Sequence, residues 1–248
     1  MSKKSAKPSR RKSANSIKRI LAIDVGGTGL KAAIVGRSGE FLSERLRLKT
    51  PRKRGPRQIV AALMELVEPL KDYDRVSIGF PGYVRGGVVV TAPNLGTRAW
   101  AGFKLAAALE KKLGAPTRLT NDADVQGLGV IKGKGLELVC TLGTGFGTAW
   151  FEDGRLLPHL EIAHMPIRKH RDLDDYVGER TLGKIGHKAW SKRVRSLVTI
   201  LATVFNYDRL YIGGGNARLI KFRLPRNVTR VSNDAGVKGN AEVWVPRI

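Results

Sequence analysis

The sequence predicts an α/β protein of two similar lobes facing one another across a cleft, and three observations carry that expectation. Residues 20–35 form an apolar run, a glycine-rich turn and a second apolar run, with no room for a helix between them. The same pattern returns at residues 138–151, about 120 residues further on, as an internal repeat would. Elsewhere, short apolar runs ending on glycine or asparagine alternate with stretches in which apolar residues recur at helical spacing. A ligand clamped between two such lobes is the natural consequence.

In the first element, Asp24 closes the opening apolar run and Gly26-Gly27-Thr28 make the turn. Glycine suits that place because it takes positive φ and, lacking a Cβ, lets backbone N–H groups approach an anion. Asp24 at the mouth of the turn is placed to hold a hydrated Mg²⁺ against phosphate oxygens, so the stretch reads as a phosphate site. Two rivals stay open at this point. Residues 27–32 also fit a dinucleotide fingerprint, which needs a helix of about ten or more residues from the turn; Arg37-Ser38-Gly39-Glu40 turns the chain again too soon for one. An ordinary glycine hairpin would look the same locally. A Walker A loop is excluded, since no Gly-Lys-Ser/Thr follows the glycines.

Residues 40–48 alternate in their second half and complete a three-stranded antiparallel meander, which the basic loop from Pro51 to Pro56 ends. Ile59, Val60, Leu63, Leu66, Val67 and Leu70 predict an amphipathic helix laid over that sheet. Residues 75–80 read as a strand running into Pro81-Gly82, the kind of strand end where α/β sheets bind ligands. A short strand at 87–91 leads to a loop carrying Asn94, and a helix with Leu105, Leu109 and Leu113 inward stops at Gly114. One more strand, 116–120, delivers Asn121-Asp122, with Asp122 or a neighbour capping a helix over 123–131.

After the second hairpin come a loop at 157–166 rich in groups able to ligate, a short helix near 175–185, and a longer helix. The longer helix has Trp190, Val194, Leu197, Val198, Leu201, Val204 and Phe205 on one face. Residues 209–212 form a strand ending in Gly213-Gly214-Gly215-Asn216, where a further helix is expected to begin. Residues 228–232 are the last strand, and Asn233-Asp234-Ala235-Gly236 can start a terminal helix. The expected boundaries are a disordered basic tail at 1–18, an N-terminal lobe at 19–122 and a C-terminal lobe at 123–248, the terminal helix packing back on the N-terminal lobe.

Composition narrows the class. A chain of 248 residues with 42% hydrophobic content can bury a substantial core in one or two domains. Its single cysteine, Cys140, excludes an internal disulfide and any cysteine-rich zinc site, which fits a reducing cytoplasm. No apolar run reaches the length needed to span a membrane. The first 19 residues hold eight Lys/Arg and no acid, with no apolar segment of the kind a signal peptide needs. Net charge is +24, and setting those eight cations aside leaves +16, so a polyanionic partner is expected: nucleic acid, an anionic membrane surface or a phosphate-rich substrate. Basicity that serves only solubility is the plain alternative.

Taken together, the stretch from Asp24 to Lys31, Gly79-Phe80-Pro81-Gly82, Asn121-Asp122, Leu142-Gly143-Thr144-Gly145 and Gly213-Gly214-Gly215 resemble, in order and spacing, the sugar kinases of the ROK (repressor, open reading frame, kinase) family over about residues 19–245. Residues 205–217 and 232–236 are most similar to its polyphosphate glucokinases. The resemblance implies an actin-like ATPase (ribonuclease H-like) fold with the active site between its lobes. It also implies phosphorylation of glucose at O6, with inorganic polyphosphate and ATP as candidate donors and Mg²⁺ as cofactor. Asp122 would take the proton from the 6-hydroxyl. Asp24, Gly26, Gly27, Thr28 and Lys31 would form one phosphate-facing turn and Thr141, Gly143, Thr144 and Gly145 the other, with Gly214, Gly215 and Asn216 also on the donor. A lone Lys31 on a strand would equally reach out to solvent.

By family position, Asn94, Asn121, Asp122, Glu161, His164 and Glu179 would contact the sugar; Glu179 would equally suit a solvated helix end. Glu161-Ile162-Ala163-His164 carries alanine where the family has glycine. Many members have a cysteine-rich zinc site just after that histidine, and residues 165–171 contain no cysteine. His159, His164 and His170 alone fall short of the four ligands a structural zinc wants, so no structural zinc is expected. The resemblance further implies a homodimer and leaves mannose open as a substrate. Two other functions fit parts of the sequence. One is a strictly ATP-dependent glucokinase or mannokinase. The other is a DNA-binding regulator, which in this family carries a helix-turn-helix ahead of the kinase-like fold, for which 19 residues are too few; non-specific nucleic-acid binding by the tail stays open.

Overall fold

A computed structural model describes residues 19–168, 170–232 and 235–245. The expectation for the basic tail at 1–18 lies outside the described residues, and so do positions 233 and 234 at the start of the terminal helix.

The chain opens with β1 (Arg19–Val25), β2 (Gly29–Gly36) and β3 (Leu46–Lys49), followed by α1 (Pro56–Val67) and β4 (Arg75–Phe80). A small hairpin of β5 (Val84–Arg85) and β6 (Val88–Val89), α2 (Thr97–Trp100), α3 (Leu105–Leu113) and β7 (Thr117–Asn121) complete the first sheet unit. Its strand order is β3-β2-β1-β4-β7, with β1–β2 and β2–β3 antiparallel and β1–β4 and β4–β7 parallel. After α4 (Asp122–Leu128) the plan repeats: β8 (Leu136–Leu142), β9 (Phe146–Glu152) and β10 (Arg155–Leu156). A 3₁₀ turn (Ile162–His164), β11 (Pro166–Arg168), β12 (Arg171–Asp172), α5 (Leu173–Val177), α6 (Glu179–Phe205), β13 (Arg209–Gly213), β14 (Val228–Arg230) and α7 (Ala235–Glu242) follow. The second sheet runs β10-β9-β8-β13-β14 with the same alternation of antiparallel and parallel pairs. The repeat read from two glycine turns is therefore a repeat of whole sheets, and the architecture is the actin-like ATPase fold.

Each sheet is covered by the helices its sequence calls for. Pro56 at the first position of α1 fits because its missing N–H would be unpaired there anyway. Ile59, Val60, Leu63, Leu66 and Val67 are buried on one face of that helix, in a core shared with Leu21, Ile23, Ile78, Phe80 and Trp100. The second core gathers Leu138, Cys140 and Leu142 under Trp190, Val194, Leu197, Val198 and Leu201 of α6. Burial pushes the Cys140 thiol far above its usual range, which leaves it an inert packing residue.

Several elements differ from expectation. The helix expected over 123–131 stops at Leu128, and its N-cap is Asn121, whose side chain accepts from the Ala123 and Asp124 N–H groups. The helix expected near 175–185 is divided: α5 ends at Gly178, and α6 starts at Glu179 and bends at Gly186, whose φ of 73° no helix accommodates. Val204, placed on the inner face by periodicity, stands 53% exposed, whereas its neighbour Phe205 packs on Trp150 and the second core. Only a 3₁₀ turn, Ala217–Leu219, follows Asn216.

The terminal helix α7 packs on β1 and β2, where Val237, Ala241 and the following Trp244 meet Ile20, Ala22 and Val35. Trp244 lies between the guanidinium groups of Arg75 and Arg118, 5.5 and 4.3 Å from its ring. It also crosses α4 at backbone distance: a Cβ on Gly239 would fall 1.7 Å from the Val125 carbonyl oxygen, and one on Gly129 2.0 Å from that of Ala235.

Candidate active site

Both glycine turns open onto one cavity of about 450 Å³ between the two sheets, a size suited to a small polar ligand. The β1–β2 turn is fastened by the Gly26 N–H donating to the Gly29 carbonyl at 3.0 Å and by the Thr50 hydroxyl donating to the Gly26 carbonyl at 2.6 Å. The β8–β9 turn closes one residue tighter, with the Gly143 N–H donating to the Gly145 carbonyl at 3.0 Å. Thr28 and Thr144 stand exposed at the two tips. A wider groove of about 1020 Å³, between α3, β7, β10 and the residues after α7, contains neither turn and none of the site residues expected from sequence.

Asp122 is the first residue of α4, delivered by the end of β7 into the same cavity. Its Oδ1 accepts from the Ala123 N–H at 2.8 Å. The carboxylate opens onto the cleft and water reaches it, yet the protein closes around it. Desolvation, then the charges of Asp24 and Asp124, raise its pKa to about 7, against the opposing pull of the Ala123 N–H and His159. A carboxylate poised near neutrality at a strand end is what a general base requires.

Lys31 does not reach for solvent: its Nζ lies 2.7 Å from Asp24 Oδ2, across the β1–β2 pair. Mg²⁺ is commonly held by one or two carboxylates together with substrate phosphates and water. Asp24, half-exposed with Lys31 on one oxygen, fits that role. No cluster of three or more His, Cys, Asp or Glu side chains arranged for a metal occurs among the described residues.

Asn94, Glu161 and His164 line the cavity together with the two turns. Asn94 is held there by Arg54, whose guanidinium donates to its carbonyl at 3.0 Å. His164 is half-exposed with Nδ1 3.2 Å from Asp172 Oδ2. Asn121 borders the cavity, but both ends of its amide are committed: Oδ1 caps α4, and Nδ2 donates to the Gly82 carbonyl at 3.0 Å. These bonds hold the turn into α4, and the second Nδ2 hydrogen stays free to donate to a ligand. Glu179 is not among the residues lining the cavity; it is exposed in the first turn of α6, and its N–H donates to the Thr144 carbonyl. Gly214 and Gly215 also line the cavity, whereas Asn216 is outside the lining, its Nδ2 donating to the Gly143 carbonyl at 3.2 Å.

Two carboxylates carry no role in the sequence reading, and His159 figures there only as a metal ligand. Asp174 of α5 lines the cavity, and its Oδ1 accepts from the Phe146 N–H at 2.6 Å, bracing the second turn. Asp124, one turn into α4, is buried against His159, with Oδ1 and Nδ1 3.3 Å apart. Burial alone would lower the pKa of His159, but its bond to Asp124 and the nearby Glu161 carboxylate outweigh that and raise it to about 9. Glu161 is held below its usual range, chiefly by His159. The spacing Asn121-Asp122-x-Asp124 was the only local trace of this cluster.

Comparison with known proteins agrees with the geometry. Residues 20–172 match the ROK family. The chain is 29% identical over 240 residues to a polyphosphate glucokinase of Mycobacterium tuberculosis (strain H37Rv), covering 88% of each chain. It superposes with a TM-score of 0.83 on the crystal structure of the inorganic polyphosphate/ATP-glucomannokinase of Arthrobacter sp. strain KM, at 30% identity, covering 92% of this chain and 98% of that one. A ROK family glucokinase of Streptomyces griseus, solved with glucose and AMPPNP, shares the fold at 20% identity with a TM-score of 0.74, covering 91% and 98%.

Proposed function

Because this chain belongs to the ROK family of sugar kinases, we propose that it is a hexokinase that phosphorylates glucose at O6 with inorganic polyphosphate as donor. The 6-hydroxyl would sit between Asp122 and the terminal phosphate held by the two turns. Asp122 takes the hydroxyl proton as the oxygen attacks phosphorus, the P–O bond to the rest of the donor breaks, and the shortened donor leaves with the electron pair. With the Gly26 and Gly143 N–H groups taken up inside the turns, those of Gly27, Thr28, Thr144 and Gly145 would face the equatorial oxygens, where charge gathers in the transition state. Mg²⁺, held through water by Asp24, would neutralise donor charge. Asn94, Glu161 and His164 are proposed to orient the sugar, with Asp174 as a fourth contact in place of Glu179.

The observation that favours a polymeric donor is the extension of the cleft beyond the first turn. It runs along β2 and β3 past Lys31, Arg45 and Arg47, with Lys31 and Arg47 paired across the two strands. Arg45 and Arg47 form no ion pair among the described residues. A row of cations leading away from the reacting phosphate suits a chain of phosphates better than a nucleoside, which carries no charge past its phosphates. Gly214 and Gly215 on the opposite wall leave space for a nucleotide, so ATP is the second donor to test. Mannose as a second acceptor, a homodimer and a cytoplasmic location belong to the same reading.

The test is glucose phosphorylation assayed separately with long-chain polyphosphate and with ATP. Turnover with polyphosphate is expected; turnover with ATP alone would overturn the polymeric donor while leaving the hexokinase reading intact.

A further inference from the structure

His159 sits behind the sugar side of the cleft, with its side chain only 8% exposed and not itself part of the lining, while Glu161 beside it does line the cavity. Four elements meet on this ring. Tyr83, from the loop after β4, stacks on it with ring centroids 5.6 Å apart. Asp124 of α4 meets Nδ1, and Glu161 Oε1 lies 3.7 Å from Nε2, which is buried without a hydrogen-bond partner. Thr91, after β6, accepts from the Tyr83 N–H at 3.0 Å, so its hydroxyl proton is directed to Glu161 Oε1, 3.3 Å away. The charged and titratable groups facing His159 are thus Asp124, Glu161 and Tyr83, with Asp122 and His164 just beyond.

We propose that His159 is a positioning residue for sugar binding: it ties the Glu161 carboxylate to Asp124, on the helix that starts with the catalytic base, and so aims Glu161 at a sugar hydroxyl. This rests on the hexokinase reading, and it names the residue behind the sugar contact. One Glu161 oxygen is taken by Thr91 and faces His159, which leaves the other for the ligand. A closing movement of about 0.7 Å would bring Nε2 and Oε1 to ordinary hydrogen-bond length. The doubly protonated ring donates to both carboxylates and keeps Glu161 ionised, hence an acceptor only, which suits a hydroxyl donating from the sugar. Without the ring's charge, two carboxylates would be left close together in a poorly solvated place, and Glu161 would take up a proton and turn partly into a donor.

Glucose KM, kcat and directly measured glucose affinity, from pH 6 to 10, test this in the full chain with His159→Phe, His159→Gln and Glu161→Gln. His159→Phe, which keeps the stack on Tyr83, is expected to raise glucose KM and Kd about tenfold with kcat within about threefold. His159→Gln, whose amide still donates, restores most of the affinity. In the unaltered chain glucose affinity falls as pH rises through about 9, and that limb disappears in both His159 variants. In a Glu161→Gln background His159→Phe adds no further loss, since its effect passes through Glu161. KM within twofold of the unaltered chain in both variants, or an equal further loss in the Glu161→Gln background, would overturn the inference. If the unaltered chain neither binds nor phosphorylates glucose, the hexokinase reading itself fails, and that outcome is told apart by the unaltered chain alone.

Discussion

The rate of glucose phosphorylation should be governed by the ionisation of Asp122. With its pKa raised to about 7, the carboxylate is about ten-elevenths ionised at pH 8 and about one-eleventh at pH 6, so kcat/KM should fall about tenfold between them. The sign follows from the role: a base must have lost its proton, so activity rises with pH, and desolvation in the cleft with the charges of Asp24 and Asp124 moves the limb into the neutral range. An unshifted aspartate would leave the same interval flat. Asp122→Asn keeps an oxygen for the Ala123 N–H, so the fold should be retained while kcat drops on the order of 10²–10⁴-fold and the pH 6–8 limb vanishes. The assay is initial rate against pH at subsaturating glucose, with circular dichroism on the variant. A flat profile from pH 6 to 8 in the unaltered chain, or more than about a tenth of the activity in Asp122→Asn, would refute the assignment.

Three further outcomes can be checked. His159 titrates higher in the folded chain than its ordinary 6.5, so its stabilisation is complete below about 6.5 and is lost as pH rises through about 9; at order of magnitude it is ~3 kcal/mol, and the gap in Tm between the unaltered chain and His159→Gln should close by pH 10. Gly214→Ala would put a Cβ 2.3 Å from the Leu142 carbonyl oxygen at a φ of 85°. It should cost about 1–3 kcal/mol by thermal unfolding and displace the second turn, with kcat/KM reduced for either donor. Arg45→Ala combined with Arg47→Ala should raise KM for polyphosphate and flatten its dependence on salt, by analogy with counterion release on nucleic acid, while leaving KM for ATP unchanged. Equal losses with both donors would remove the case for a cationic track.

The two hairpins were legible because their chemistry is local: glycine at a phosphate turn is dictated within a few residues, and doubling the pattern exposes the lobes. Asp122 was legible for a related reason, as a carboxylate at the end of an apolar run. What stayed hidden depends on contacts between distant segments. Asn121 also caps α4 and donates to the Gly82 carbonyl, contacts that its neighbours in sequence do not reveal. Glu179 and Asp174 are only five positions apart, and nothing in their neighbourhood says which faces the cleft; the break at Gly178 decides it. Val204 is exposed although Phe205 beside it packs on the core, because only one of two adjacent helical positions can face inward there. His159 is a lone histidine in sequence, and the carboxylates that hold it come from 35 residues upstream and from two residues downstream.

The crossing of α7 over α4 limits how the two sheets can move. With glycines 129 and 239 each placing bare backbone against a carbonyl, the helices have no side-chain layer to slide upon, and any shear would drive main chain into main chain. Asp122 begins the helix pinned at this crossing, and α7 in turn packs on β1 and β2. Two glycines thus tie the carboxylate at the end of β7 to the opening strands through main-chain contact.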